Sequence, residues 1–212
     1  MTSSHLSASD IRPDRALKAR LRQEALARRA AMGEAGRAVA SEAAAAHAMT
    51  ALGPVGGRVV ALFAPFRDEI DTAPLARLLW AAGAQLVLPV VTARDAPLLF
   101  RAWNAGDTLV PMGAYAIPTP SEDAPERVPQ DLIVPLAAFD RAGFRIGYGA
   151  GHYDRTLALL RAAGSVRAFG FAFACQETDR VPAESHDEPV DGMITEERFF
   201  SCGGSDAYSL PR

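Results

Sequence analysis

Between Arg12 and about Leu52 the apolar residues recur at helical spacing. Leu17, Leu21, Ala25 and Leu26 share one face, Pro13 suits a first helical turn, and Gly33 splits the stretch into two predicted helices. The texture then changes. Arg58 to Ala64 is a short apolar, β-rich run, followed by a polar turn at Phe66–Asp71 and a helix over about Pro74 to Ala82. Strands are predicted at Gln85–Val91, at Leu98–Trp103 and, fully buried by its unbroken apolar character, at Asp131–Leu136. A helix from Asp154 to about Ala163 and strands at Val166–Phe173 and Val190–Thr195 complete the pattern. Such alternation predicts an α/β fold, with one layered sheet and no division into domains over 1–212. The Pro-, Gly-, Ser- and acid-rich segment from about Val110 to Pro129 reads as a long surface loop, and about 1–12 and 201–212 as flexible ends.

Charge and composition narrow the functional classes. With 212 residues and a net charge of −3, the chain lacks the basic excess of a dedicated nucleic-acid binder. No apolar run reaches the roughly 18–20 residues that span a bilayer, so no membrane role is expected. The opening Met-Thr-Ser-Ser-His lacks a basic segment followed by an apolar one, and a reducing cytoplasm is expected from the 2 cysteines, Cys175 and Cys202. One lysine, Lys18, stands among 22 basic side chains, which is either chance in an arginine-rich chain or the mark of a place where a compact ammonium is wanted rather than a planar fork.

Candidate chemistry concentrates in Phe139-Asp-Arg-Ala-Gly-Phe-Arg-Ile-Gly-Tyr-Gly-Ala-Gly-His-Tyr-Asp-Arg155. Gly147, Gly149 and Gly151 alternate after a predicted strand and before a predicted helix, so backbone N–H groups and a helix start can converge on an anion. Arg145 adds a fork of donors suited to phosphate, and Asp154, at the helix entry, is suited to cap the helix or to bind a hard cation. The spacing is neither that of a Walker loop nor that of a dinucleotide fingerprint. No nucleophile elbow, C-x-x-C or H-E-x-x-H is present, and His at 5, 47, 152 and 186 does not suggest a three-His zinc site.

This stretch, preceded by Ile133-Val-Pro-Leu-Ala-Ala-Phe-Asp140, resembles the signature of the 5-formyltetrahydrofolate cyclo-ligases, also called methenyltetrahydrofolate synthetases. Lys18-Ala-Arg-Leu-Arg22, Asp68-Glu-Ile-Asp71 and Val181-Pro-x4-Asp187-x3-Asp191 match in the same order, so the resemblance covers roughly Ala16 to Thr195. It implies a three-layer α/β/α sandwich with a mostly parallel sheet and N-terminal helices packed on it. It also implies cyclisation of 5-formyltetrahydrofolate to 5,10-methenyltetrahydrofolate, with ATP as co-substrate and Mg²⁺ as cofactor. By position, Lys18, Arg22 and Arg145 fall on ATP phosphates together with the loop Gly147, Tyr148, Gly149, Ala150, Gly151, His152 and Tyr153. Asp154 and Asp187 fall on the Mg²⁺ positions. Glu69 falls on the acid that contacts folate, and Tyr115, Tyr148, His152 and Tyr153 join it on the substrate side. Lys18 and Arg145 are the catalytic candidates. Small-molecule substrates are the expected partners, with a monomer or weak homodimer as the assembly.

The chemistry fits the failed searches. Phosphorylating the formyl oxygen makes it a leaving group that N10 of the same folate displaces, so positioning, a metal and cations are needed rather than a protein nucleophile. The chain departs from the resemblance in Gly149-Ala-Gly-His-Tyr. The cost of Ala150 depends on the sign of φ there, and His152 stands where the family commonly has Tyr, bringing a group that titrates near neutrality. A more pH-sensitive activity or ATP affinity than Tyr would give is the expectation.

Overall fold

The computed structural model describes residues 11–113, 115–164 and 166–203, with side chains from Asp14 onward. The expected flexible ends lie largely outside these residues. Within them, Ile11 and Arg12 already belong to the first helix, and Ser201 ends the last strand. The chain opens with α1 (Ile11–Ala31) and α2 (Gly33–Leu52), then β1 (Val59–Ala61), α3 (Ala73–Ala81), β2 (Gln85–Val90) and β3 (Leu99–Ala102). Two short hairpins follow on either side of a core strand: β4 (Val110–Met112) with β5 (Ile117–Thr119), β6 (Asp131–Val134), and β7 (Ala138–Phe139) with β8 (Arg145–Ile146). The chain continues through α4 (His152–Ala163), β9 (Arg167–Phe171), β10 (Gly192–Ile194) and β11 (Phe199–Ser201).

A 7-stranded sheet in the order β11-β10-β9-β6-β1-β2-β3 forms the middle layer. The inner strands β10, β9, β6, β1 and β2 are parallel, and β3 and β11 close the two edges antiparallel. Because side chains alternate across a strand, each strand feeds two cores. Val60, Leu62, Leu86, Leu88, Ile133 and Phe169 face Ala44, Ala48, Leu75 and Leu79 of α2 and α3. Ala61, Val87, Leu132, Val134 and Ala168 pack with Leu157 of α4 on the other face. Leu157 is the one fully buried apolar anchor of α4, and truncating such a leucine costs about 2–5 kcal/mol. At the start of β6, Asp131 is 0% exposed and is held by Arg58 at 2.7 Å and Arg167 at 2.6 Å, a structural triad remote from the glycine loop in sequence. Among the described residues no helix is long and apolar enough to cross a membrane.

Three details correct the sequence reading. The segment 110–129 contains the β4–β5 ribbon, and Ala102 N and Arg127 N bond to Pro125 O and Phe100 O along the outer edge of β3. Exposure on both faces removed any alternating pattern there, and Pro111 and Pro118 lie opposite each other in a ribbon that forms no part of the central sheet, where proline is tolerated. The strand expected to run to Leu136 stops at Val134, and the chain turns into the β7–β8 hairpin. Of the N-terminal helices, α2 lies on the sheet, whereas Ala25 and Leu21 of α1 pack on Ala138, Phe144, Ile146 and Val181. Helix α1 thereby crosses the carboxyl ends of the strands.

That placement sets up the site. The chain leaves β1 through α3 toward β2 on one side, and leaves β6 through α4 toward β9 on the other. The carboxyl ends of β1 and β6 therefore form a topological switch point, where connections diverge and leave a crevice.

Candidate active site

Helix α1 lays one polar face across that crevice. Lys18, Arg22, Ala25 and Arg29 are spaced i, i+4, i+7 and i+11, so they share the inward stripe. Lys18 Nζ donates to Asp187 Oδ2 at 2.9 Å and Glu184 Oε1 at 3.2 Å. Arg22 Nε donates to the Gly147 carbonyl at 2.8 Å, tying the helix to the glycine loop. Arg29, 2% exposed, donates through Nη2 to Asp68 Oδ1 at 2.6 Å and through Nη1 to the Tyr148 hydroxyl at 3.2 Å.

The glycine loop is built to leave its amides free. Gly149 (φ 96°) and Gly151 (φ 66°) hold left-handed backbone, which reverses the chain between β8 and α4 and which a Cβ disfavours. Ala150 is not in that region, so its departure from glycine carries no backbone strain. The first turn of α4 has no side-chain cap, and the N–H groups of Tyr148 to Asp154 find no acceptor among the described residues. Free N–H groups at a helix start, with its dipole, form an anion cradle. His152 Nδ1 lies 3.1 Å from the Ala96 carbonyl, and Arg155 Nη2 donates to Arg94 O and Ala150 O, so the loop is also fastened to the segment after β2.

The predicted phosphate cations and metal carboxylates are brought together as pairs. Arg145 donates to Asp154 Oδ1 at 2.8 Å and to the Glu188 carbonyl. Asp154 is therefore not the helix cap, a position that falls at Gly151. Its Oδ1 also accepts the Glu188 N–H. Burial works against the ammonium of Lys18, but hydrogen bonds and attraction from Asp187 and Glu184 outweigh it and raise its pKa. Burial likewise opposes ionisation of Asp187, but the Glu184 N–H and Lys18 more than compensate and lower it. The buried guanidinium of Arg145 is pulled below its usual value, with Asp154 opposing that.

Mg²⁺ suits this donor set. Asp154 Oδ2 and Asp187 Oδ1 accept no hydrogen bond among the described residues, and both side chains reach solvent. Hard carboxylate oxygens flanking an anion cradle match an ion that takes one or two carboxylates and fills its shell with phosphate oxygens and water.

Glu69 lies in the turn after β1, where its Oε2 accepts the Phe66 N–H at 2.8 Å. Burial raises its pKa, and the Phe66 N–H, the Tyr148 hydroxyl and Arg29 offset this only in part. Tyr148 is itself pushed up to about 12 by burial and by the Glu69 charge. Its hydroxyl accepts from Arg29 and feels the charge of Glu69. Tyr153 packs against the α4-side core, and its phenol is raised by burial and by Glu69. Tyr115, at the tip of the β4–β5 hairpin, meets Phe66 with ring centroids 5.3 Å apart, so it borders the Glu69 turn. Arg29, Phe63, Glu69, Pro135, Leu136 and Gln176 border a gap behind this turn that is too narrow for water. A separate groove of about 360 Å³, lined by Asn104, Asp107, Ser121 and Asp123 among others, contains none of the predicted site residues.

Two residues of this arrangement escaped the sequence reading. Arg29 had a signal, since it continues the spacing of Lys18, Arg22 and Ala25, but an arginine in an Arg-rich helix reads as surface charge. Glu184 had none, because its partner Lys18 lies 166 residues away.

An anion cradle at the switch point of a three-layer α/β sheet, bordered by paired cations and carboxylates, is an arrangement suited to an enzyme with an anionic ligand. The family model described as 5-formyltetrahydrofolate cyclo-ligase family matches residues 14–196, and the chain belongs to that family. It is 36% identical over 151 residues to the 5-formyltetrahydrofolate cyclo-ligase of Escherichia coli K12, covering 69% of this chain and 82% of that protein. The Haemophilus influenzae cyclo-ligase is 30% identical over 148 residues, 68% of this chain and 79% of its own. Among solved structures, the 5,10-methenyltetrahydrofolate synthetase of Aquifex aeolicus superposes with a TM-score of 0.71 at 27% identity, covering 92% of this chain and 97% of that one. The synthetase of Mycoplasma pneumoniae shares the fold at a TM-score of 0.67 and 20% identity, covering 84% and 98%.

Proposed function

We propose that this chain cyclises 5-formyltetrahydrofolate to 5,10-methenyltetrahydrofolate, consuming ATP with Mg²⁺ and releasing ADP and phosphate. The observation that carries the reading is Tyr148. It opens the glycine loop whose free amides suit phosphates, and its hydroxyl is held by Arg29, whose other arm holds Asp68 beside Glu69, the acid matched to folate. One residue thus borders both substrates.

In this reading the loop amides from Tyr148 to Asp154, with Lys18, Arg22 and Arg145, receive the triphosphate and spread the charge of the transferring phosphoryl group. Asp154 and Asp187 would hold Mg²⁺, which would supply charge neutralisation on phosphate oxygens. Nucleotide entry lets Lys18 and Arg145 exchange carboxylate partners for phosphate. Glu69 and Tyr148 hold the folate with Tyr115, His152 and Tyr153 around it, so that its formyl oxygen takes the γ-phosphoryl group. Attack by N10 on the formyl carbon expels phosphate and closes the ring, with both reacting groups in one bound molecule. The same reading makes the chain a single-domain cytoplasmic enzyme of small molecules, monomeric or weakly dimeric, without nucleic-acid or membrane partners.

The test is the absorbance band of methenyltetrahydrofolate, followed with and without Mg-ATP in the wild type and in Lys18→Ala. Product that requires Mg-ATP and a loss of about a hundredfold in kcat/KM for the variant are expected, the scale of removing one preorganised charge from a transition state. ATP binding without product would point to another formylated or amide substrate. Folate binding with no ATP use would point to a sequestering protein.

A further inference from the structure

The functional reading leaves Arg29 without a role, although it is the most deeply buried cation of the site. Its side chain is 2% exposed, and its Nε is buried without a hydrogen-bond partner among the described residues. Stability alone is a poor reason to keep such a group, since well-packed apolar side chains replace buried ion pairs at little or no cost. What the guanidinium provides is a rigid fork. One arm reaches Asp68, next to Glu69 in the turn after β1. The other reaches Tyr148, in the loop after β8. Those segments are 80 residues apart in the chain, joined here through α1, which also contacts the loop through Arg22 at the Gly147 carbonyl. Glu69 follows Asp68 directly and borders the same narrow gap as Arg29. Arg29 therefore ties the turn that carries Glu69, through Asp68, to Tyr148 of the glycine loop.

We propose that Arg29 is a positioning residue for the folate side of the reaction: by bridging Asp68, beside Glu69, and the Tyr148 hydroxyl it fixes the folate-receiving turn against the glycine loop. The proposal rests on the cyclo-ligase reading of Glu69. It separates two functions on one helix, with Lys18 and Arg22 serving the nucleotide and Arg29 the folate. A lysine at position 29 keeps the charge but cannot span both partners. Tyr148→Phe removes only the hydroxyl of a ring already half-exposed, so it leaves the fold intact.

Steady-state kinetics on wild type, Arg29→Lys, Tyr148→Phe and the double variant, with each substrate varied, test this. Each single variant is expected to lower kcat/KM for folate about ten- to a hundredfold, the range for one charge-assisted hydrogen bond, with KM for ATP within about twofold. The double variant should be about as impaired as the worse single one, because both break the same contact. If Arg29→Lys does not fold by circular dichroism, Tyr148→Phe decides: unchanged folate kinetics there overturn the proposal. So do KM values that rise together for both substrates, or losses that multiply in the double variant, which are the marks of a merely structural arginine. A wild type without ATP-dependent product overturns the cyclo-ligase reading and this proposal with it, whereas an active wild type with unaltered variants overturns the role of Arg29 alone.

Discussion

Glu69 is held where burial disfavours its charge, and its neighbours offset that only in part, so its pKa stands above the ordinary carboxylate range. The ionised form therefore costs stability at neutral pH. Glu69→Gln keeps an acceptor for the Phe66 N–H and removes the charge. Its melting temperature at pH 7 should rise, on the order of 1–3 °C, while folate affinity falls, a site that trades stability for function. Thermal melts beside a folate titration check both, and a lower melting temperature would contradict the assignment of burial as the dominant cause. Lys18 is the opposite case. As the lone lysine it was conspicuous in the sequence, and the structure places it between two carboxylates rather than on an open surface. Arg29 was invisible for the reason Lys18 was not, because one arginine among many carries no mark of its burial.

At the scale of elements, α1 is held with little apolar packing. Among the described residues Ala25 is its one fully buried apolar side chain, with Leu21 partly buried beside it, and polar and ionic contacts at Lys18, Arg22, Arg28 and Arg29 do the rest. Exposed or half-exposed ion pairs add little each, so local opening of α1 should lie well below global unfolding. Its cations are also those expected to meet phosphates. In hydrogen exchange, the amides of α1 should exchange faster than those of β1, β6 and β9 in the free protein, and Mg-ATP should slow them selectively. Equal slowing across the sheet would argue against nucleotide contact through this helix. The helical spacing of α1 was legible in the sequence, but its docking partner was not, because the β7–β8 hairpin beneath it has strands of only 2 residues each.

For the whole molecule, acid stability follows from the carboxylates. Burial opposes ionisation of Asp68, but Arg29 outweighs it and lowers the pKa, and Asp187 is lowered by the Glu184 N–H and Lys18 against the same opposition. A lowered carboxylate pKa contributes stability that is present above the unfolded value, near 3.9, and is lost as pH falls through the folded one. Glu69 works in the opposite direction, its raised pKa favouring the fold as the proton arrives. The urea midpoint should therefore hold through about pH 5 and drop below about pH 4, and Asp68→Asn should flatten that drop. An equally steep fall in the variant would place the acid sensitivity elsewhere. The architecture itself was readable because β1, β2, β6 and β9 are short apolar runs whose burial on two faces needs helices above and below. By itself the sequence determined those periodicities, the layered α/β class, the glycine loop and the family signature, since each is written in neighbouring residues. The tertiary structure decided that β1 and β6 send their connections to opposite faces, that α1 crosses their carboxyl ends, and that Lys18 meets Asp187, Arg145 meets Asp154 and Arg29 meets Tyr148 and Asp68. Most of these pairs join side chains tens to well over a hundred residues apart, and only the packing of α1, the sheet and the loops sets the distances between them.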